Sequence, residues 1–242
     1  MEIVQRTIFS FSEGYNFRNR QVCSYFREMI PKVRNLFYLD ILCRDNRVPK
    51  EIKSNEKLAK KAVSLGLVNI LDWCDKEHIP KYFCQTAAKK NRVEVLEWAR
   101  KNNYPYDEEI PSTAAIHGNL EVLQWVHDNK LSWDEETCDD AAYGGYLEVL
   151  QWLREHDCPW DEDVCSSAAM EGHLELLQWA RANGCPWNED TCSSAAMEGH
   201  LEVLKWARAN GCPWDERTHY NARRNGHLEV LKWALDNGCP QE

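Results

Sequence analysis

Two consecutive stretches decide the fold. The first is Pro186-Trp187-Asn188-Glu189-Asp190-Thr191-Cys192-Ser193-Ser194-Ala195-Ala196-Met197-Glu198-Gly199. The second is His200-Leu201-Glu202-Val203-Leu204-Lys205-Trp206-Ala207-Arg208-Ala209-Asn210-Gly211. Asn188 suits a helix N-cap, and Glu189 and Asp190 put negative charge where the free N–H groups of a first turn favour it. Gly199 fits the left-handed position that ends a helix. A second helix is expected over 201–210, stopped by Gly211 with Pro213 just beyond. No apolar/polar alternation is long enough for a strand. At about 100° per residue, Leu201, Val203, Leu204, Trp206 and Ala207 cover more than half of the second helix. Glu202, Lys205 and Ala209 are left as its solvent face. Cys192, Ala195 and Ala196 make the first helix narrow enough for close approach. So wide an apolar arc needs cover from the partner helix and from neighbouring copies of the unit.

Such copies exist. Trp98, Trp125, Trp152, Trp179, Trp206 and Trp233 are spaced 27 residues apart, and Trp73 precedes them by 25. Trp133, Trp160, Trp187 and Trp214 form a second ladder of the same period, with Tyr106 in the place before it. Gly118, Gly145, Gly172, Gly199 and Gly226 keep step, as do paired alanines from Ala87/Ala88 to Ala195/Ala196. A period between about 20 and 50 residues signals a stacked repeat architecture. The fold class expected is therefore all-α, a solenoid of helix-turn-helix repeats. Its indole rings are expected to interleave into one elongated apolar spine.

Composition narrows the function. The chain has 242 residues, 43% hydrophobic and 28% charged, as in ordinary globular proteins. No apolar run approaches the roughly 18 residues that span a bilayer, so no membrane association is expected. The start lacks the basic, apolar and small-residue pattern of a secretory signal, which points to an intracellular protein, cytoplasmic or nuclear. Net charge is −10, but residues 1–100 carry 19 Lys+Arg against 12 Asp+Glu, whereas residues 101–242 carry 10 against 27. The acidic part argues against nucleic acid, whose affinity comes largely from neutralised phosphates. Eleven cysteines without a signal sequence point to free thiols.

The segment 199–211, read as GHLEVLKWARANG, resembles the second helix of an ankyrin repeat. Ala195-Ala196-Met197-Glu198-Gly199-His200 matches the end of that family's first helix. The resemblance recurs from about residue 50 to the C-terminus, about seven repeats over 50–242. Two departures stand out. The family's Thr-Pro-Leu-His is absent, with Cys192 at its buried leucine place. The period is 27 residues here, against about 33 in the family. The spacing between Gly199 and Gly211 is the family's, so the shortfall lies in the inter-repeat loop. The chain is similar to the shortened, tryptophan-rich ankyrin variant of giant viruses, amoebae and algae. That implies abbreviated loops and little or no β structure. The array's ends diverge as caps should: Arg223, Arg224 and Asn225 replace Ala, Met and Glu, and 36–49 reads as half of another unit.

Residues 1–32 leave the repeat, with 33–49 as a degenerate half repeat or linker. The opening stretch and the element Val22-Cys23-x-x-Phe26-Arg27 resemble an F-box, a helical module that docks a Skp-type adaptor of cullin ubiquitin ligases. The family's opening Leu-Pro is missing. By that resemblance Ile3, Ile8, Phe9, Val22, Cys23 and Phe26 would contact the adaptor. The alternative is an amphipathic helical cap for the solenoid.

No catalytic, metal or cofactor site is expected. Equivalent cysteines in Cys158/Cys185/Cys212/Cys239 and Cys138/Cys165/Cys192 would stand a helix-packing distance of about 8–10 Å apart, too far for one zinc ion or a disulfide. They read as small apolar core residues, although pairs within a unit, such as Cys158 with Cys165, stay open. His173, His200 and His227 follow the helix-ending glycine, a place the family uses to tie neighbouring backbone together. No phosphate-binding, dinucleotide or hydrolase motif is present. A repeated residue serves the scaffold; function lies where units differ. Positions six and two before the glycine share a face of the first helix, which lines the concave surface in the ankyrin family. There Ile116, Tyr143, Met170 and Met197 would form an apolar strip, with Lys89 and Arg224 at its ends and Asp139 and Tyr220 beside it. Packing of Met170 and Met197 against the adjoining helix is the other reading. The expected function is a monomeric, non-catalytic scaffold that binds a partner protein on that face. The alternative is a substrate receptor of a cullin-type ubiquitin ligase, binding a target at Tyr143 and a Skp-type adaptor through residues 1–30.

Overall fold

A computed structural model describes residues 35–50 and 52–241. Among these residues there are fifteen α-helices, one 3-10 turn and no strand. The chain divides into two compact units, one within residues 1–87 together with 94–104, the other within 88–93 together with 105–242. The first five helices are α1 Asn35–Arg44, α2 Glu56–Leu65, α3 Val68–Trp73, α4 Phe83–Lys89 and α5 Val93–Lys101.

In the first unit α1 and α2 both pack on α3. Asp40 of α1 holds the start of α3, accepting from the Ile70 backbone N–H at 3.0 Å and from Asn69 Nδ2 at 2.6 Å. A carboxylate at a helix N-terminus satisfies free donors and meets the favourable end of the dipole. Asn55 caps α2 by accepting from the Leu58 N–H at 3.0 Å. The Trp98 indole donates to Asp72 at 3.0 Å, and Phe83, Trp98 and Tyr104 form an aromatic cluster with centroids 5.2–5.8 Å apart. After α1 the chain turns through Asn46 at φ 53°, and the Arg47 N–H bonds back to the Leu42 carbonyl. The same turn ends α5, through Asn103 and the bond from Tyr104 to Ala99. Thus α1 closes like the second helix of a repeat.

The second unit continues as helix pairs: α6 Ile110–Ala115 with α7 Leu120–Asp128, α8 Glu135–Tyr143 with α9 Leu147–Glu155, and α10 Asp163–Met170 with α11 Leu174–Ala182. Then come α12 Glu189–Met197 with α13 Leu201–Ala209, and α14 Glu216–Arg224 with α15 Leu228–Asp236. Each first helix packs on its own second helix and on the first helices before and after it, in the order α6, α8, α10, α12, α14. Asn188 does cap α12, accepting from the Asp190 N–H at 2.9 Å, and Gly199 ends it at φ +82°. The imidazoles after the glycines reach back one repeat: the His173 ring Nε2 donates to the Tyr143 carbonyl at 3.2 Å.

The core is made by small and branched side chains. Val203, Leu204, Ala207 and Cys212 of one repeat, with Cys192, Ala195 and Ala196, are buried, as are their counterparts one repeat earlier. Burying each leucine stabilises by roughly 1.5–3 kcal/mol. The tryptophans correct the expected central spine. In this unit Trp125 is buried, but Trp152, Trp179, Trp206 and Trp233 are only half-buried. These rings face the inter-repeat loops. There Trp160, Trp187 and Trp214 meet Trp179, Trp206 and Trp233 edge-on at 5.9–6.0 Å. The guanidinium groups of Arg154, Arg181 and Arg208 lie 4.1–4.3 Å over Trp160, Trp187 and Trp214, and donate to the carbonyls of Cys158, Cys185 and Cys212. This cation–π and hydrogen-bonded layer stitches each repeat to the next.

Candidate functional site

The first helices of the second unit are positioned by two fixed devices, the Asp or Asn at their start and the left-handed glycine at their end. Residues between these points are presented in the same way in every repeat, so differences in side chain become differences in surface. Lys89 and Arg224 are exposed, and so are Tyr143 at 42% and Tyr220 at 54%. Ile116, Asp139, Met170 and Met197 are half-buried. The two methionines thus do both jobs, packing on one side and facing water on the other. Position six before the glycine is not a uniform face. Ser166 and Ser193 there are buried, their hydroxyls donating to the carbonyls of Asp163 and Asp190 at 3.0 and 3.2 Å. Asp139 and Tyr220 depart from that pattern. The six adaptor-contact residues of the F-box resemblance, Ile3, Ile8, Phe9, Val22, Cys23 and Phe26, lie outside the described residues.

α8 and α14 both depart from the pattern of α10 and α12; α14 has Tyr220, Asn221 and Arg224 where α12 has Ser193, Ser194 and Met197. Asp139 and Asp140 stand where α10 has Ser166 and Ser167 and α12 has Ser193 and Ser194. Tyr143 stands where those helices have methionine, and Gly144 where they have Glu171 and Glu198. Tyr146 replaces the usual histidine. Its ring leaves no room for a side chain at residue 144: a Cβ there would sit 2.7 Å from the ring and 2.8 Å from the Ile116 carbonyl. Gly144 is therefore a consequence of Tyr146, and the pair gives α8 an end unlike its neighbours'.

The electrostatics are also local to α8. Ser112 lies beside Asp140, and Ser167 beside Asp139, each hydroxyl favouring the ionised carboxylate. Burial pushes Asp140 up to about 6; Asp139, Glu136 and Asp134 add to this, and Ser112 opposes it. Burial likewise raises Asp139, with Asp163, Asp161 and Glu136 contributing and Ser167 opposing. Glu171 beside the Tyr143 hydroxyl, with the more distant charge of Glu198, raises the phenol. The arrangement is two partly desolvated carboxylates beside an exposed phenol and two exposed glutamates. It can attract and hold a cationic group. Sequence reasoning missed Asp140, Glu171, Glu198 and the Gly144/Tyr146 pair. A break in the serine pair was visible at Asp140, but attention to positions six and two before the glycine passed over the residue between them.

Among the described residues, no group of three or more His, Cys, Asp or Glu is placed to hold a metal ion. The ten described cysteines are free and buried. The loop thiols of Cys158, Cys185 and Cys212 donate to the carbonyls of Asp134, Asp161 and Asn188 at 3.2–3.4 Å, beside the first-helix cysteines of their own repeats. No described helix is long and apolar enough to cross a membrane.

Comparison with known proteins agrees with this geometry. Residues 192–235 match the family model of ankyrin repeats in many copies. The crystal structure of the human ASB11 ankyrin repeat domain is similar, with a TM-score of 0.51 at 14% identity over 64% of this chain and 83% of that one. No curated protein matches the chain. The fold is an all-helical solenoid of the ankyrin type, built on shortened repeats. That fold is a general scaffold for protein–protein interaction.

Proposed function

We propose that the chain is a non-catalytic recognition scaffold that binds a partner protein along its first-helix face, with α8 at the centre. The observation that carries this reading is the concentration of repeat-breaking residues there. Asp139, Asp140, Tyr143, Gly144 and Tyr146 all fall within one unit, while the next two units repeat almost unchanged. A residue needed for stacking recurs; a residue needed for a particular partner has no reason to. Two partly buried carboxylates also weaken the fold where serine would serve, a burden typical of binding sites. Tyrosine and methionine are common at protein interfaces, and Tyr143, Met170 and Met197 fit that use. The test is affinity purification with the intact chain beside Tyr143→Ala and Met170→Ala. A partner bound through this face is lost with the variants and kept by Glu175→Gln, on the exposed side of α11. Equal recovery by all of them counts against the reading.

The scaffold is taken to act as an intracellular monomer. The F-box-like sequence of residues 1–30 supports a more specific role, a substrate receptor that brings its target to a cullin-type ligase. Its test is a pull-down with a Skp-type adaptor; binding that survives deletion of residues 1–30 counts against it.

A further inference from the structure

The partner's chemistry follows from what α8 lacks. Asp139 and Asp140 have no lysine or arginine within ion-pair distance among the described residues. One serine hydroxyl lies beside each, and Oδ1 of Asp139 is shut off from water without a donor. The same helical layer does supply cations elsewhere: Arg217 of α14 pairs with Asp190 of α12 and with Asp215. No such cation stands beside the two carboxylates of α8. Around the two carboxylates the surface stays acidic, with Glu171 and Glu198 exposed one and two repeats on. Tyr143 offers a ring face beside them, and an aromatic face adds attraction for a cation already drawn by carboxylates.

We propose that the first-helix face at α8 receives a linear, lysine- or arginine-bearing segment of the partner protein, one cation seated against Asp139 and Asp140 beside Tyr143. The proposal rests on the recognition face described above and deepens it by naming the chemistry of the occupant. Charge complementarity selects this occupant. Residues 101–242 carry 10 basic against 27 acidic residues, so nucleic acid and anionic lipid surfaces are repelled. Half-buried carboxylates short of donors gain most from a cation that brings its own N–H groups.

The experiment selects a random dodecapeptide display library on the intact chain. Enriched peptides are made with a fluorescein label and titrated with three proteins: the unchanged chain, Asp139→Asn/Asp140→Asn, and the charge-matched control Glu148→Gln/Glu175→Gln on the second helices. Enriched peptides are expected to be rich in Lys or Arg. The double asparagine variant should weaken binding by about tenfold or more, the control by about twofold or less. Thermal melts check that both variants fold. Enrichment of neutral or acidic peptides overturns the proposal, as does equal weakening by both variants, which would report bulk charge alone. Failure to enrich any peptide removes the linear segment. If neutral peptides bind and Tyr143→Ala abolishes their binding, the recognition face stands and the cation is wrong. If binding ignores Tyr143→Ala and the double asparagine variant alike, both readings fall.

Discussion

α8 and α12 stand two repeats apart in equivalent places and present opposite surfaces. On α12 the residues before the terminal glycine are Ser193, Ser194 and Met197; the serines are buried and Met197 is half-buried. On α8 the same places hold Asp139, Asp140 and Tyr143, and the carboxylates are raised by burial. Beneath these surfaces the two repeats are alike. Ala141 and Ala142 match Ala195 and Ala196, Cys138 matches Cys192, and Leu150 matches Leu204, all fully buried. The two repeats thus share one core and differ in the face they present. A scaffold whose units share a core can alter one surface without rebuilding its fold.

The largest expected effect tests the shared core. Leu150→Ala and Leu204→Ala each remove a side chain with no exposed surface and leave a cavity. Both should lower stability by about 3 kcal/mol, measured by urea unfolding. A loss of stability at one site but not at the other would show that the two repeats are not equivalent inside.

The next effect separates the faces. Tyr143→Ala truncates an exposed ring and should leave the melting temperature nearly unchanged. Binding to a partner captured on this face should weaken by about 2 kcal/mol, the scale of an aromatic anchor. Met197→Ala, on the regular helix, should weaken it less. Isothermal titration of both variants decides, and a larger loss at Met197 would move the centre of the face away from α8.

A smaller effect reads the carboxylates. The folded-state pKa of Asp140 is about 6, above the ordinary 3.8, so between these values the folded chain holds more proton than the unfolded one. By linkage, this group's contribution to stability is best below about pH 4 and declines as pH rises through 6. Asp140→Asn keeps an acceptor for Ser112 and removes the charge. Compared with the unchanged chain at each pH, it should gain about 1 kcal/mol at pH 7, because the carboxyl keeps partial contact with water, and nothing at pH 4. Melts at the two pH values check the sign. A destabilised variant at pH 7 would mean that the carboxylate serves the fold rather than a ligand.

How much of this was legible in the sequence depended on whether a feature repeats. Helix starts and ends could be read from Asn188 and Gly199, because capping is local chemistry. The tie from His173 to the previous repeat came only from the ankyrin resemblance. The position of the tryptophans could not be read, since periodicity gives register but not depth: Trp125 ends buried and Trp179 half-buried at the same place in the repeat. The cysteines read as small apolar core residues, and the described ones are free and buried; which of them lie side by side, such as Cys138 with Cys158, depends on packing that spacing does not give. At α8 the spacing argument picked out Asp139 and Tyr143 but not Asp140, whose neighbour across the stack, Ser112, is known only from packing.

The smallest effect probes a second irregularity in the same part of the array. Arg154, Arg181 and Arg208 each cover a tryptophan and bond a carbonyl, but the equivalent residue one repeat earlier is His127. Its ring stacks on Trp133 at 5.7 Å and meets His156 at 4.8 Å, so the aromatic contact is kept while the guanidinium is not. His127→Arg would supply a fixed positive charge over Trp133 and a donor for the Leu131 carbonyl, which occupies the place of the Cys158 carbonyl. That should stabilise the chain by about 0.5 kcal/mol, the value of a partly exposed cation–π contact. Denaturant midpoints at pH 7.5 measure it. Arg208→Ala should lose at least as much, because it removes the same contact where it already exists. If His127→Arg destabilises instead, the histidine pair holds the loop between α7 and α8 in a way the arginine layer cannot, and the irregular surface of α8 extends to the turn that precedes it.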